Sequence, residues 1–226
     1  MAKMRYKNAD GNPIPGVTTI IEQDSLNLSD PANLAGLRGE VTGGARGSWT
    51  LKAAIGTVTH QKIQDDLSGT PFKPEDIDFQ KLHASLHKDA IQGSEVPFSA
   101  YLAWKPGKDL RGRCEVSLVH PTLSYGGTID LLQDEAILDW KTSSPSAFKG
   151  MDKLWAQVAG GYAMLAEAHG QTIKLGRIVR LPKEGTSAEE YILDMASPKA
   201  KAARELFLHL LHAYECRRII NQKDGK

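Results

Sequence analysis

The chain has 226 residues, 41% of them apolar and 24% charged, with a formal net charge of +1. This is the make-up of a globular domain large enough to bury a core, and no apolar run approaches the roughly 20 residues needed to span a bilayer. A near-neutral balance leaves nucleic-acid binding open, because one basic groove on a neutral protein suffices. Cys114 and Cys216 match no metal or disulfide pattern. The polar start Met1–Tyr6 lacks a signal peptide's apolar stretch. A reducing, cytoplasmic setting is the expectation.

No repeat or low-complexity tract interrupts the chain, and a single domain over 1–226 is expected. Its first part, 1–47, reads as loop with little helix. Gly, Pro and Asn crowd the opening to Gly16. Val17–Ile21 predicts a short helix with Thr18 or Thr19 as cap. Pro31 and five glycines across 31–47 predict a mobile segment. The motif-bearing core spans 48–168. From Ser48 the pattern is helical, with Leu51, Ile55, Val58 and Lys62 on one face and Gly56, His60, Ile63 and Leu67 on the next. A second helix is expected within 71–92. The period then changes, so that 95–103 and 113–119 read as strands. Two more follow at 125–132 and 136–140 around a tight turn. Residues 151–168 read as a helix with Trp155, Val158, Ala159, Tyr162 and Leu165 on its apolar side. The last part, 169–226, reads as a hairpin (174–181 with 190–195) and an amphipathic helix carrying Ala203, Leu206, Phe207, Leu210, Leu211 and Tyr214. The order predicts an α/β fold with a mixed central sheet flanked by helices.

The hairpin Thr128-Ile129-Asp130 … Asp139-Trp140-Lys141 carries the chemistry. If its loop is the pair Asp134-Glu135, Asp130 falls opposite Asp139, with Cβ atoms about 5 Å apart. Lys141 then shares their face and Trp140 points to the other. Asp-Glu is not a favoured two-residue turn, and a one-residue slip is the competing register. The carboxylates end two otherwise apolar strands. Like charges so close are costly unless a cation sits between them, and oxygen-rich sites suit Mg²⁺ or Mn²⁺. Taken alone, D-x-K is a frequent tripeptide that a solvated surface hairpin would also carry.

The order of residues adds more. Gly56-Thr57-Val58-Thr59-His60 precedes Glu115, then Gly127-Thr128-Ile129-Asp130, then Asp139-Trp140-Lys141, then Gln157. This resembles the RecB-type exonuclease branch of the PD-(D/E)XK nuclease superfamily, which includes the mitochondrial genome-maintenance exonuclease and the CRISPR-associated adaptation nucleases. The resemblance implies a restriction-endonuclease-like core. It implies His60, Asp130, Asp139, Glu115 and the Trp140 carbonyl as ligands for one or two Mg²⁺ or Mn²⁺ ions, and Lys141 as the catalytic lysine. Gln157 corresponds to the glutamine of a trailing Q-x-x-x-Y motif. In that motif Tyr follows Gln by four; here position 161 is Gly and Tyr162 comes at five, about 100° further round an α-helix. Tyr162 is therefore expected only to pack. Ile55 stands where many relatives carry arginine, and the missing four-cysteine pattern excludes an iron–sulfur cluster. Arg46, Trp49, Lys52, Lys149 and Lys153 flank the motifs and are the expected DNA contacts.

These features predict a metal-dependent DNA nuclease, an exonuclease rather than a site-specific endonuclease. It would act on single- or double-stranded ends in recombination, repair or phage DNA processing, beside a single-strand-binding or annealing protein. The alternative class is a non-catalytic nucleic-acid-binding or interaction protein on the same scaffold.

Overall fold

The computed structural model of the chain describes residues 6–22, 44–77, 86–143, 151–185 and 187–221, with 44–50 described by backbone alone. A two-stranded ribbon, β1 (Tyr6–Lys7) and β2 (Pro13–Ile14), leads into α1 (Val17–Glu22). Helices α2 (Gly44–Ser68), α3 (His87–Gly93) and α4 (Glu95–Trp104) follow. Strands β3 (Arg113–Val119), β4 (Gly126–Leu132) and β5 (Ala136–Ser143) come next. A helical stretch then joins α5 (Met151–Trp155), a π-helical segment (Ala156–Tyr162) and α6 (Ala163–Ala168). Strands β6 (Leu175–Pro182) and β7 (Glu189–Asp194) and helix α7 (Pro198–Ile220) complete the described order.

The sheet runs β3-β4-β5-β6-β7. The β5/β6 pair is parallel and the other pairs are antiparallel, so this is a mixed α/β fold with helices on both faces. Asp134-Glu135 does form the two-residue loop, with Gln133 N–H donating to Ala136 O at 2.9 Å. The register that follows, Leu132↔Ile137 and Leu131↔Leu138, is the expected one, and the ladder ends there, just before Asp130 and Asp139.

Strand β5 is central and its residues divide between two cores. Ile137 lies with Ile129, Leu132, Ile178 and the helical stretch from Trp155 to Leu165. Leu138 and Trp140 lie with Leu131, Val179, Ile63 of α2 and Tyr101 of α4. The Trp140 ring meets Tyr101 and Trp104 edge-on, at centroid distances of 5.5 and 5.7 Å, a geometry that adds to area burial. Tyr101 OH and Lys105 Nζ each donate to the Asp66 carboxylate at 2.7 Å, tying α4 to α2.

One irregularity positions the site. Ile129 and Leu131 are two residues apart, yet they lie in opposite cores; a regular strand would put both on one face. The β3/β4 ladder pairs Cys114 with Leu131 and Val116 with Ile129, and between these pairs Glu115 has φ +50°. Positive φ in a residue with a Cβ costs of order 1–3 kcal/mol. The pleat therefore breaks at Glu115 and Asp130.

Three expectations need correction. Residues 95–103 are not a strand but α4. Pro97 sits in the first turn, where no N–H is required, and buried Pro97, Ala100 and Tyr101, with half-buried Trp104, recur at helical spacing. Helix α2 begins at Gly44, four residues before Ser48, so the glycine-rich stretch is partly its first turn; 31–43 lies outside the described residues. Thr18 and Thr19 lie inside α1 rather than capping it, and Ile20 N–H reaches Gly16 O at 3.1 Å.

Helix α7 seats on the π segment through its glycines. A Cβ on Gly160 would overlap Phe207 Cβ and stand 3.0 Å from Cγ, and Phe207 is fully buried. Gly160→Ala is expected to lower stability by about 1–3 kcal/mol, read as an earlier urea midpoint; an unchanged midpoint would contradict this packing.

Candidate active site

Asp130 stands where β4 leaves its ladder with β5. Its Oδ2 accepts the Trp140 N–H at 2.8 Å, so a side chain takes the place of a backbone partner. His60 approaches from α2, with Nε2 3.0 Å from Trp140 O and Nδ1 3.6 Å from Asp130 Oδ1. Gly56, one turn earlier, permits that approach, because a Cβ there would stand 3.1 Å from Thr142 Oγ1 at the end of β5. The Glu115 carboxylate joins them: His60, Glu115 and Asp130 each offer a donor atom within 4.8 Å of the others.

Asp139 and Lys141 lie alongside, on one face of β5 as period two requires. Asp139 is 1% exposed, and its two oxygens lie 3.0 and 2.7 Å from Lys141 Nζ. Gln157 Nε2 points at the same carboxylate from the other side, 3.4 Å from Oδ1. The structure thus brings His60, Glu115, Asp130, Asp139, Lys141, Gln157 and the Trp140 carbonyl to one end of the sheet. Asp139 faces the lysine and the glutamine and lies outside the three-donor cluster.

The charges hold one another. Burial opposes a positive His60, but Asp130 beside it prevails and lifts its pKa to about 9. Burial would raise the Asp130 carboxyl, and the His60 and Lys141 charges bring it below its usual value instead. For Asp139 burial wins against Lys141, and its pKa rises to about 6. Burial disfavours the Lys141 ammonium, yet the Asp139 and Asp130 carboxylates raise its pKa above the usual lysine value.

Tyr162 does more than pack. The segment Ala156–Tyr162 is π-helical, and an i→i+5 repeat stacks residues five apart as an α-helix stacks those four apart. Gln157 and Tyr162 consequently share a face, and Gln157 Nε2 donates to Tyr162 OH at 2.8 Å. The glycines of the Gly-x-x-Asp strand serve the same neighbourhood: a Cβ on Gly127 would stand 3.0 Å from Tyr162 Cε1, and one on Gly126 would overlap the Tyr6 ring.

A cavity of about 500 Å³ opens beside the cluster, lined by Tyr6, Gln64, Glu115, Thr128, Asp130 and Tyr162 among others. Tyr6 was not foreseen, because the opening residues look like loop. Its hydroxyl and that of Ser117 each lie 2.8 Å from Thr128 Oγ1. Of the residues expected to contact DNA, Lys52 is exposed on α2 and Lys153 half-buried on α5, and neither lines this cavity. Arg46 and Trp49 fall where backbone alone is described, and Lys149 lies outside the described residues.

No family model and no curated protein matches the chain. Among solved structures, SSO0001 is similar at 14% identity and TM-score 0.36, over 77% of this chain and 92% of that one. An exonuclease candidate from Eubacterium rectale gives 14% identity and TM-score 0.44, over 86% and 81%. LHK-Exo in complex with dAMP gives 15% identity and TM-score 0.32, over 77% and 93%.

The clustered donors predict metal-linked stability. Mn²⁺ at a hundred times its dissociation constant should stabilise the fold by about 2.7 kcal/mol, read as a rise in thermal midpoint, and Asp130→Asn should erase most of that rise. A midpoint indifferent to Mn²⁺ and Mg²⁺ would remove the metal assignment.

Proposed function

We propose that this protein is a divalent-metal-dependent DNA nuclease. The observation that carries the reading is the convergence of His60, Glu115 and Asp130 beside the Asp139–Lys141 pair, at the mouth of a cavity. One imidazole and two carboxylates with an open side fit Mn²⁺ or Mg²⁺. Asp139 and the Trp140 carbonyl, which the resemblance implies as further ligands, would complete the set for one or two ions. The chemistry such an ion supplies is polarisation of a phosphate and acidification of water.

The chain's own residues supply the rest. Lys141 is held as an ammonium by Asp139, in reach of a water or phosphate oxygen at the cluster, where it orients the nucleophile and offsets the negative charge of the transition state. Gln157 fixes the other side of Asp139, so the lysine's partner does not turn away. Glu115 adds a second carboxylate to hold the ion or its water. The ordered residues from His60 to Gln157 that resemble the RecB-type nucleases support the same assignment. They favour exonuclease action on DNA ends.

End-labelled single- and double-stranded DNA incubated with Mn²⁺ tests the reading. Cleavage should require the metal, and Asp139→Ala or Lys141→Ala should each lower its rate by at least about a hundredfold while the thermal midpoint shows a folded protein. Undiminished cleavage by either variant would sink the site assignment. Wild-type protein that cleaves no DNA or RNA with either metal would leave the non-catalytic binding reading in its place.

A further inference from the structure

The hydroxyl of Tyr162 is a donor with a direction but, among the described residues, no acceptor. Gln157 Nε2 donates to the Tyr162 oxygen at 2.8 Å. An amide nitrogen has hydrogens to give and no lone pair to offer, so this bond uses the tyrosine as acceptor and leaves its own hydrogen to be placed elsewhere. The side chain is 4% exposed. Its ring edge lies against Gly127, and it lines the cavity together with Glu115 and Asp130. Buried hydroxyls are paired in native proteins, and the open space within reach is that cavity. The neighbouring amide cannot turn to accept the hydrogen without abandoning Asp139, which Gln157 Nε2 also faces at 3.4 Å.

Resting on the nuclease reading, we infer that Tyr162 donates its hydroxyl hydrogen to a non-bridging phosphate oxygen of the bound strand, and that the π turn exists to place it there. With α-helical spacing, position 162 would stand about 140° round the helix from Gln157. Position 161, which would then share the face of Gln157, is a glycine with nothing to donate. The same two glycines, Gly160 and Gly161, are those against which Phe207 and Val17 seat, so the packing that fixes the wide turn also fixes the donor. Gln157 is the positioning residue: one amide group orients both the carboxylate that holds Lys141 and the phenol that meets the phosphate.

Tyr162→Phe isolates the hydroxyl, since the ring keeps its volume and its contact with Gly127. A hydrogen bond to a charged group is stronger than one between neutral groups, and the expected effect is a loss of about tenfold to a hundredfold in cleavage rate with Mn²⁺. The thermal midpoint and its Mn²⁺-induced rise should stay within error of wild type. Binding is read separately: on a Lys141→Ala background, fluorescence anisotropy of a labelled single-stranded 12-mer should show Tyr162→Phe weakening affinity at least about fivefold. Wild-type cleavage by Tyr162→Phe, or equal affinity in the anisotropy pair, overturns the inference. If the unmodified protein cleaves nothing, the nuclease reading fails by that result, and the anisotropy comparison still decides whether Tyr162 meets the strand. Should Tyr162→Phe shift the thermal midpoint, the cavity-side partner Thr128→Val provides the contrast. It leaves Gln157 and Tyr162 intact, and a donor role predicts that it retains more affinity than Tyr162→Phe; equal losses would overturn the inference.

Discussion

The bond from the Trp140 N–H to the Asp130 carboxylate is the constraint on which the site depends. A hairpin between two apolar cores would normally continue its ladder to the end of both strands. Here the ladder with β5 stops after Leu131↔Leu138, and the next donor is met by a carboxylate. A buried N–H left without a partner costs about 1–3 kcal/mol, so the aspartate is held firmly. It in turn fixes His60, which reaches the carbonyl of the same Trp140. The backbone of one residue thus has its donor taken by Asp130 and its acceptor facing His60, while the Trp140 ring is locked between Tyr101 and Trp104 on the opposite face.

Strain and charge meet at the same place. The positive φ of Glu115 and the break in the pleat put Leu131 into one core and Ile129 into the other. Without that break, the cores on the two faces could not both be filled from this hairpin while three acidic groups gather at its end. The two aspartates are tolerated because each has a cationic or hydrogen-bonding neighbour: His60 for Asp130, and Lys141 with Gln157 for Asp139. Breaking a buried pair by removing one partner leaves an uncompensated charge.

Much of this was legible in the residues. Alternation and a two-residue gap gave the β4–β5 register, and period two placed Lys141 beside Asp139. Helical spacing put Gly56 and His60 on one face of α2, the face that closes on Thr142 and Trp140. Glu95–Trp104 was not legible, because Glu-Val-Pro-Phe-Ser-Ala-Tyr-Leu-Ala satisfies alternation and helical spacing together, and short apolar runs do not separate the two. Tyr6 was hidden by its composition: a polar opening gives no hint that its ring will cover Gly126. Tyr162 escapes the sequence for a different reason: residues five apart share a face in a π-helix but not in an α-helix, and nothing in Ala156–Tyr162 marks the wider turn.

That wide turn bears on how such chains change over generations. An extra residue in a regular helix would rotate everything after it and expose what had been buried. A π turn swallows the insertion within a few positions, and beyond it Ala163, Leu165 and Ala166 are still buried. A five-residue interval can thus keep a contact that a regular helix makes over four. An interval counted along the chain does not by itself say whether two side chains meet; across this turn Tyr162 sits beside Gln157.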